Sequence, residues 1–265
     1  MTAIAVTIAG SDSGGGAGIQ ADLKTFSALG VYGASVLAAL TAQNTKGVTG
    51  IHNVPPEFVS EQIDAVFSDL AVGAVKIGML SQAPVISAVA DGLVRHMQSK
   101  VVLDPVMVAT SGDRLLDPGA IENLRRLLIP RATVITPNLP EAAALLGTAI
   151  ANDEREMREQ GERLLALGAN AALVKGGHGG GDESVDLLVM PDGVVRLASP
   201  RFATRNTHGT GCTLSSAIAA GLAKGLGLVE AAQAAKNYVA TAIAASDRLS
   251  VGHGNGPVHH FYRWW

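Results

Sequence analysis

The sequence predicts an α/β protein, a three-layer α/β/α domain with a mostly parallel central sheet. Apolar runs alternate with amphipathic helical patterns along the chain, which is typical of strand–helix–strand units. Apolar residues make up 48% of the 265 residues and aromatic residues only 4%, so the core consists mainly of aliphatic side chains. The 31 glycines provide tight loops, and no linker or repeat is visible, so we expect a single domain over residues 1–265.

The amino-terminal quarter of the chain alternates strand and helix. Residues 3–10 form a continuous apolar run that ends at glycine, which is typical of a buried parallel strand. A polar glycine loop separates this strand from a helical pattern over residues 19–29, which Gly30 ends. The apolar run over residues 32–41 predicts a second strand, and the amphipathic pattern over residues 57–70 predicts a second helix.

The remaining chain repeats this alternation at regular spacing. Short apolar runs predict strands over residues 74–80, 101–106, 133–136 and 171–175. Amphipathic or Ala-rich patterns predict helices over residues 83–97, 120–128, 141–146, 154–167, 213–224 and 230–246. Two apolar segments flank Pro191-Asp192-Gly193, which predicts a small hairpin around residues 185–197.

Composition argues against several classes of protein. The formal net charge is −3 with both signs interspersed, so nothing supports binding to nucleic acid. The uncharged run over residues 25–45 contains glycines and polar residues, so it predicts a helix end and a strand rather than a membrane span. The single cysteine excludes an intrachain disulfide and fits a reducing cytosol, so we expect a cytoplasmic protein.

The glycine-rich stretches match no common dinucleotide or hydrolase motif. Residues 16–21 fit the pattern G-x-G-x-x-A after a strand, but no acidic residue lies between Leu23 and Pro56 to hold a ribose. The chain also lacks a G-x-x-x-x-G-K-[ST] phosphate loop and a G-x-S-x-G nucleophile turn. An NAD(P) enzyme and a hydrolase of that type are therefore disfavoured.

The stretch from Asn206 to Ser216 is the most informative part of the sequence. Hydroxyl-bearing residues and two glycines, Gly209 and Gly211, lead into an Ala-rich helical pattern, and the only cysteine, Cys212, lies at the junction. A helix N-terminus presents unpaired N–H groups and a positive dipole end. The pattern indicates an anion site suited to a phosphoryl group, although by itself it also fits an ordinary loop with a buried cysteine.

Polar residues at the predicted strand ends are further candidates, because ligands of open α/β sheets bind there. Asn138 and Glu141 offer oxygen ligands to a hydrated Mg²⁺, although Glu141 would also complement a helix dipole. Asp104 is a similar carboxylate at a turn. Lys175 is either solvated at its strand end or directed at a phosphate. The Gln43 amide matches the edge of an aminopyrimidine, or is a satisfied loop amide.

Taken together, these residues resemble the ribokinase-like superfamily and follow its chain order. Within that superfamily, the chain is similar over nearly its full length to the hydroxymethylpyrimidine kinase/phosphomethylpyrimidine kinase branch of thiamine biosynthesis. The motifs that carry the resemblance are residues 9–24, 41–44, 76–79 and 104–107, the Cys212 loop, and residues 252–254 and 257–260.

The resemblance implies a role for each candidate. Gln43 would pair with the pyrimidine edge, in a substrate pocket also shaped by Gly10, Ala17, Asp22, Met79 and Val106. The catalytic residues would be Lys175, which neutralises ATP phosphates, and the anion hole formed by Gly209, Thr210, Gly211 and Cys212. Thr210 and Lys236 would lie on the nucleotide side. Asp104, Asn138 and Glu141 would organise Mg²⁺ and its waters.

Cys212 is a departure from most of the ribokinase-like superfamily. The resemblance implies that most of those enzymes carry an aspartate base at this position. The hydroxymethylpyrimidine branch and some pyridoxal kinases resemble this chain in having cysteine there. A helix N-terminus can lower the pKa of a thiol, so a thiolate base is one interpretation. Phosphoryl transfer depends mostly on positioning and charge stabilisation. The other interpretation of Cys212 is therefore a group that only holds the acceptor hydroxyl in place.

The resemblance implies an ATP- and Mg²⁺-dependent kinase that phosphorylates 4-amino-5-hydroxymethyl-2-methylpyrimidine and then its monophosphate. A pyridoxal/pyridoxine kinase is the nearest alternative, because it shares the fold and the hydroxymethyl acceptor. A non-catalytic pyrimidine-binding sensor is an alternative of another class, which the complete set of candidate site residues argues against. The resemblance also suggests a homodimer.

Overall fold

The computed structural model describes residues 1–108, 115, 117, 119–177 and 181–265. Its strands are β1 Ile4–Gly10, β2 Tyr32–Asn44, β3 Gly47–Asn53, β4 Ala74–Ile77, β5 Val101–Leu103, β6 Val134–Ile135, β7 Ala172–Lys175, β8 Glu183–Met190 and β9 Gly193–Pro200. They form one sheet in the order β3-β2-β1-β4-β5-β6-β7-β8-β9. In this order, the six strands β2, β1, β4, β5, β6 and β7 pair in parallel. The strands β3, β8 and β9 are antiparallel to the strands beside them. The predicted mostly parallel sheet is confirmed.

Helices cover both faces of this sheet. They are α1 Gly18–Ala28, α2 Pro56–Phe67, α3 Ala83–Arg95, α4 Ala120–Asn123, α5 Leu139–Leu146, α6 Glu154–Ala166, α7 Thr210–Ala223 and α8 Leu228–Ala244. Side chains of α2 to α6 join one apolar core, and side chains of α1, α7 and α8 join the other. The three layers therefore match the prediction from the sequence.

Strand alternation explains the two cores. On β1, the fully buried Val6 and Ile8 belong to the core beneath α2 to α6, whereas Ala5 belongs to the core beneath α1, α7 and α8. Successive strand residues point to opposite faces, so both faces of a buried parallel strand must be apolar. The small Ala5 and Ala74 lie beneath the Ala-rich α7, which allows a close approach of helix and sheet.

Several local features differ from the sequence-based expectation, including element bounds that shift by up to three residues. β3 was not expected, because its glycines and exposed side chains give no apolar alternation. The helix predicted over residues 120–128 is regular only in α4 and continues as a π-helix, Leu124–Leu128. α5 begins two residues earlier than expected, at Leu139, because the Asn138 side chain accepts a hydrogen bond from the Glu141 N–H and caps it. The predicted hairpin is present as β8 and β9.

Among the described residues, no helix combines the length and the apolar character that crossing a membrane requires. The uncharged run over residues 25–45 instead contains the end of α1 and almost all of β2. This agrees with the reading of that run as a helix end followed by a strand.

Candidate active site

One cavity of about 690 Å³ lies beyond the carboxyl ends of the parallel strands. It is bordered by the ends of β1, β4, β5 and β7 and by the N-termini of α1 and α7. Every candidate residue from the sequence except Asp22 lines this cavity: Gly10, Ala17, Gln43, Met79, Asp104, Val106, Asn138, Glu141, Lys175, Gly209, Thr210, Gly211, Cys212 and Lys236. The geometry brings these side chains together, while their individual roles stay predictions.

The glycine loop after β1 is organised around the carboxylate of Asp12, which is buried. Its Oδ1 accepts from the N–H of Gly14 at 2.8 Å, and its Oδ2 accepts from the N–H groups of Gly16 and Ala17 at 3.0 and 2.8 Å. His208 Nε2 lies 2.9 Å from the same Oδ2. Burial alone would raise the pKa of Asp12, but the bonds from His208 and the backbone hold it below its usual value.

The loop before α7 packs directly against this first glycine loop. Gly209 has φ +80°, a left-handed conformation that favours glycine, and a Cβ atom there would collide with the carbonyl oxygen of Gly16. A Cβ atom on Gly16 would in turn collide with the imidazole of His208. The chain segment after α8 closes the same wall, because the N–H of His208 donates to the Gly256 carbonyl at 3.0 Å.

The acceptor half of the cavity combines an apolar wall with one polar edge. Met79 packs with Ala39 and Leu115, and the half-buried Val106 lies against them. Gln43 supplies the polar edge from the end of β2, where its N–H donates to Ser13 Oγ at 2.8 Å. This arrangement suits a flat ring whose faces are apolar and whose rim carries hydrogen-bonding groups.

Cys212 lies in the first turn of α7, between the two halves of the cavity. Burial, and secondarily the nearby carboxylates, raise the pKa of its thiol to about 11, although Lys76 and the N–H of Gly18 oppose this. The thiol is therefore protonated near neutral pH. A thiolate base would have to overcome this raised pKa, whereas a positioning thiol would not, and the role of Cys212 stays a prediction.

Lys175, Asp104 and Glu141 form the charged cluster at the other half of the cavity. Lys175 Nζ lies 2.9 Å from Asp104 Oδ1 and 4.0 Å from Glu141 Oε2. Asp104 also accepts from Thr136 Oγ1 at 3.1 Å. A Cβ atom on Gly211 would lie 3.2 Å from Lys175 Nζ, so the start of α7 lies directly over this ammonium group.

The pKa values of the two carboxyl groups move in opposite directions. Burial would raise the pKa of Asp104, but Lys175 and Lys76 together hold it below its usual value. Burial raises the pKa of Glu141 to about 7; the charge of Lys175 opposes this effect, and the smaller contribution of Asp104 adds to it. Lys175 keeps its charge because the two carboxylates outweigh its burial and raise its pKa. Glu141 is thus the group in this cluster that changes charge near neutral pH.

Lys236 is held by a carboxylate rather than directed freely into the cavity. Its Nζ lies 2.8 Å from Asp186 Oδ2, and Asp186 Oδ1 accepts from the N–H of Gly176 at 3.1 Å. Arg201 donates to the carbonyls of Gly177 and Glu183 and so fixes the same rim of the cavity. Lys236 therefore shapes the loop after β7 through Asp186.

Asp22 lies behind the cavity wall, where a direct contact with substrate is not possible without rearrangement. Its two oxygens bond to Lys76 Nζ at 2.9 and 2.8 Å. They also accept from the hydroxyls of Thr7 and Ser216, both at 2.6 Å. Asp22 therefore joins α1 to β1, β4 and α7 beneath the anion loop. Of the ion pair between Asp22 and Lys76, only Lys76 lines the cavity.

No role was predicted for three residues of this site, although each lies in a stretch that the sequence singled out. Lys76 could have been noticed as a lone charge between Val75 and Ile77 in a buried strand. His208 stands within the loop that the sequence singled out, but nothing in its spacing shows that Asp12 would lie beside it. Asp12, Lys76 and His208 are buried polar groups, and each has an ion-pair partner far away in the sequence.

The arrangement places an oxyanion-type site between a ring pocket and a charged cluster. The first N–H groups of α7 have no partner within the helix, and Lys175 lies beneath them. Such donors stabilise the negative charge on a phosphoryl group in transit. A hydroxyl held in the ring pocket near Cys212 would stand next to that group.

Comparison with known proteins agrees with this chemistry. The sequence profile of the family described as phosphomethylpyrimidine kinase matches residues 12–259. The chain is 64% identical over 265 residues to the hydroxymethylpyrimidine/phosphomethylpyrimidine kinase of Rhizobium meliloti, covering 100% of this chain and 99% of that protein. It is 54% identical over 255 residues to the thiamine biosynthesis bifunctional protein ThiED of Geobacter sulfurreducens, covering 96% of this chain and 51% of that protein.

Among solved structures, the ADP complex of Bacillus subtilis pyridoxal kinase is similar with a TM-score of 0.91 and 37% identity, covering 98% of both chains. The fold is therefore that of the ribokinase-like vitamin kinases. The profile match covers most of the chain, and the identity to the Rhizobium enzyme extends over all of it. This chain is a kinase and belongs to the phosphomethylpyrimidine kinase family.

Proposed function

We propose that this kinase uses ATP and Mg²⁺ to phosphorylate 4-amino-5-hydroxymethyl-2-methylpyrimidine on its hydroxymethyl group, and then phosphorylates the monophosphate to the diphosphate in thiamine biosynthesis. The observation that carries the proposal is the position of Cys212 and the start of α7, between the Gln43 ring pocket and the Lys175 cluster. The names of the Rhizobium and Geobacter relatives support the choice of substrate.

Gln43 is proposed to read the pyrimidine. The exocyclic amine of the substrate is a donor and the adjacent ring nitrogen is an acceptor, and one amide can serve both. The apolar wall formed by Met79 and Val106 would cover the ring face. The hydroxymethyl group would then reach Cys212, whose protonated thiol holds the hydroxyl rather than removing its proton.

Lys175 and the first turn of α7 are proposed to stabilise the transferred phosphoryl group. The helix supplies backbone N–H donors with a positive dipole end, and Lys175 supplies a full charge beneath them. Because these groups are already in place, the site needs little reorganisation as negative charge develops. Thr210 begins the helix, and its hydroxyl donates to the Thr207 carbonyl at 2.7 Å, which fixes the loop.

The donors around Lys175 fit a hydrated Mg²⁺. Asp104 and Glu141 are hard oxygen donors in one cavity, and their oxygens already bond to Lys175 and to backbone N–H groups. No set of three His, Cys, Asp or Glu side chains within the described part of the chain is arranged to hold a metal directly. The residues would therefore hold the ion through its waters, as Mg²⁺ commonly binds. When bound, Mg²⁺ would neutralise charge on the ATP phosphates.

The proposal includes a homodimer in the cytoplasm. The β2–β3 edge exposes Leu40 and Ile51, and the start of β2 exposes Tyr32. A second copy packed on this edge would cover them. The single cysteine, protonated and partly buried, suits a reducing compartment.

ADP release measured with three acceptors tests the proposal. We expect ATP- and Mg²⁺-dependent turnover with the hydroxymethylpyrimidine and with its monophosphate, and much slower turnover with pyridoxal. Binding of the pyrimidine without ADP release would support a sensor instead. No pyrimidine-dependent turnover with intact pyridoxal turnover would reject the proposed substrate.

Pyridoxal phosphorylation is a second candidate activity. The observation that favours it is the similarity, at a TM-score of 0.91, to a pyridoxal kinase over 98% of this chain. Pyridoxal also presents a hydroxymethyl group on a flat ring. Relative to the hydroxymethyl group, however, it carries an aldehyde and a phenolic hydroxyl where the pyrimidine carries its amine and ring nitrogen, so Gln43 would meet a different pair of donor and acceptor groups. The three-acceptor assay separates the two activities.

A further inference from the structure

Gln43, the residue proposed to read the substrate, touches two side chains whose hydrogen-bonding roles can be worked out. As placed in the structure, its Nε2 lies 3.4 Å from His208 Nε2 and its Oε1 lies 3.1 Å from Thr41 Oγ1. A half-turn of the amide exchanges its oxygen and nitrogen with almost no change in shape, so the neighbours decide which end faces which. The orientation of the amide is therefore a chemical question about His208 and Thr41.

His208 Nε2 must be a hydrogen-bond donor. It lies 2.9 Å from Oδ2 of Asp12, whose pKa is held below its usual value and which is therefore an ionised carboxylate that only accepts. This holds for the neutral imidazole protonated at Nε2 and for the imidazolium. A donor at Nε2 repels an amide NH₂ group, so the Gln43 oxygen has to face His208.

Thr41 leads to the same answer from the other side. Its single hydroxyl hydrogen is directed at the Ser11 carbonyl, 2.7 Å away. Thr41 Oγ1 can then only accept from Gln43, so the amide nitrogen has to face Thr41. Two independent neighbours thus select the half-turned amide, with Oε1 towards His208 and Nε2 towards Thr41, the reverse of its placement in the structure.

We propose that His208, held by Asp12, is a specificity-determining residue that fixes the orientation of the Gln43 amide and thereby the direction in which the substrate ring binds. This inference rests on the proposed function, because it takes the aminopyrimidine as the ligand. With this orientation, the Gln43 oxygen accepts from the exocyclic amine on the His208 side. The Gln43 nitrogen donates to the ring nitrogen on the Thr41 side.

The order of groups around the ring makes this direction important. In 4-amino-5-hydroxymethyl-2-methylpyrimidine, the amine lies between the ring nitrogen and the carbon that carries the hydroxymethyl group. An amine on the His208 side places the hydroxymethyl group further towards His208, which directly precedes the Gly209–Cys212 loop in the chain. The reverse amide orientation would direct the hydroxymethyl group away from that loop.

The packing around His208 fits this role. The imidazole lies against Gly16, where any side chain would collide with it, and it is buried. The loop before α7 and the loop after β1 therefore both fix its position. The Gln43 amide can turn by itself, so it selects one ligand orientation only if a rigid neighbour such as His208 holds it.

The test compares His208→Phe with the wild type on two compounds, the aminopyrimidine and 5-hydroxymethyl-2-methylpyrimidine, which lacks the amine. Both kcat/KM and binding by calorimetry are measured. H208F should lower kcat/KM for the aminopyrimidine by about tenfold to a hundredfold, the range for a misdirected buried hydrogen bond. Any loss caused by removing the partner of Asp12 is shared by both compounds. The loss for the compound without the amine should therefore be about tenfold smaller than for the aminopyrimidine, because the two deletions act on one interaction. His208→Gln, which keeps a donor at the Nε2 position, should recover most of the amine dependence.

Equal losses on both compounds, or no recovery in H208Q, would overturn the inference and leave the proposed function intact. No turnover of the aminopyrimidine by the wild type would instead reject the proposed function. If H208F does not fold, His208→Asn takes its place in the same comparison, because its shorter amide cannot reach Gln43. The same selective loss is then expected for H208N.

Discussion

Gly209 and Gly16 face each other so closely that a side chain on Gly209 would collide with the Gly16 carbonyl oxygen. The two glycines belong to the loops that open α7 and α1, which are almost two hundred residues apart in the sequence. Their contact fixes the anion loop relative to the ring pocket. Catalysis by positioning depends on such a distance, since a misplacement of about 1 Å costs on the order of a hundredfold in rate.

Gly209→Ala should therefore lower kcat by about a hundredfold or more, because the two loops must separate to admit the Cβ atom. Steady-state kinetics with the aminopyrimidine measure this. Gly225→Ala is the matched control: Gly225 has φ +89°, but a Cβ atom there would meet nothing within 4 Å. That variant should lose about 1 kcal/mol of stability and keep its activity. Similar activity in both variants would show that the loop contact does not matter.

Substitutions of Cys212 should separate positioning from base catalysis. Because the pKa of the thiol is about 11, the group is protonated throughout pH 7–9. Cys212→Ser should keep kcat within about tenfold of the wild type, and Cys212→Ala should lower it by about a hundredfold with substrate binding largely retained.

The pH profile of kcat gives an independent check on the same residue. A thiolate base would make kcat rise about tenfold per pH unit below its pKa. We expect no such rise in kcat between pH 7 and 9 that is specific to the wild type. Any increase of kcat over this range should also occur in C212S. A steep rise present only in the wild type would contradict the positioning role.

Glu141 should make the response to Mg²⁺ depend on pH. Its pKa of about 7 means that the side chain is mostly neutral at pH 6 and mostly ionised at pH 8. The apparent affinity for Mg²⁺, from titrations of activity, should therefore increase as the pH rises through 7. Glu141→Gln keeps a side chain suitable for the capping box but cannot ionise, so it should flatten this dependence.

Protein stability provides a second readout for Glu141. Its folded-state pKa lies above its ordinary value of 4.5, so its contribution to stability is complete below that value and is lost as the pH rises through about 7. The free energy of unfolding should fall less over this range in E141Q than in the wild type. Glu57→Gln, an exposed first-turn glutamate of α2, is the control and should follow the wild type.

The Lys76–Asp22 pair should contribute strongly to stability. Both side chains are fully buried, and their charged atoms are 2.8 Å apart. Lys76→Met leaves a buried, uncompensated carboxylate and should cost about 3–5 kcal/mol in urea unfolding. Adding Asp22→Asn should restore part of this loss, because the amide oxygen can still accept from Ser216.

A surface pair provides the contrast for this measurement. Arg158 and Glu162 are also 2.8 Å apart, but their side chains are 60% and 51% exposed. Arg158→Met should change the free energy of unfolding by less than about 1 kcal/mol. A loss in K76M no larger than that in R158M would show that the buried pair is not important for the fold.

The sequence predicted the sheet and helices where apolar periodicity was strong, as in β1 and α3. It missed β3, an edge strand whose glycines and exposed side chains carry no period. It located the catalytic cavity because polar residues that follow parallel strands must meet at one edge. It did not separate Asp22 from the lining residues, since only the three-dimensional packing shows that Lys76, Thr7 and Ser216 surround it.

Electrostatic properties were also beyond the sequence. The position of Cys212 at a helix N-terminus suggested a lowered pKa, but burial beside Asp22 and Asp104 raises it. The pattern Asn138-x-x-Glu141 was interpreted as a metal site or a dipole partner, and the structure shows a capping box. The pKa of Cys212 depends on how deeply the thiol is buried, which a linear pattern does not specify. The capping box is a local motif whose spacing the sequence does show.

The hydrogen bond from His208 to the Gly256 carbonyl means that the wall beside Gln43 is built from three distant parts of the chain. The loop after β1 supplies Asp12, the loop before α7 supplies His208, and the segment after α8 supplies Gly256. Such a wall forms only when all three segments occupy their folded positions. Local unfolding of any one of them would therefore leave His208 without one of its supports.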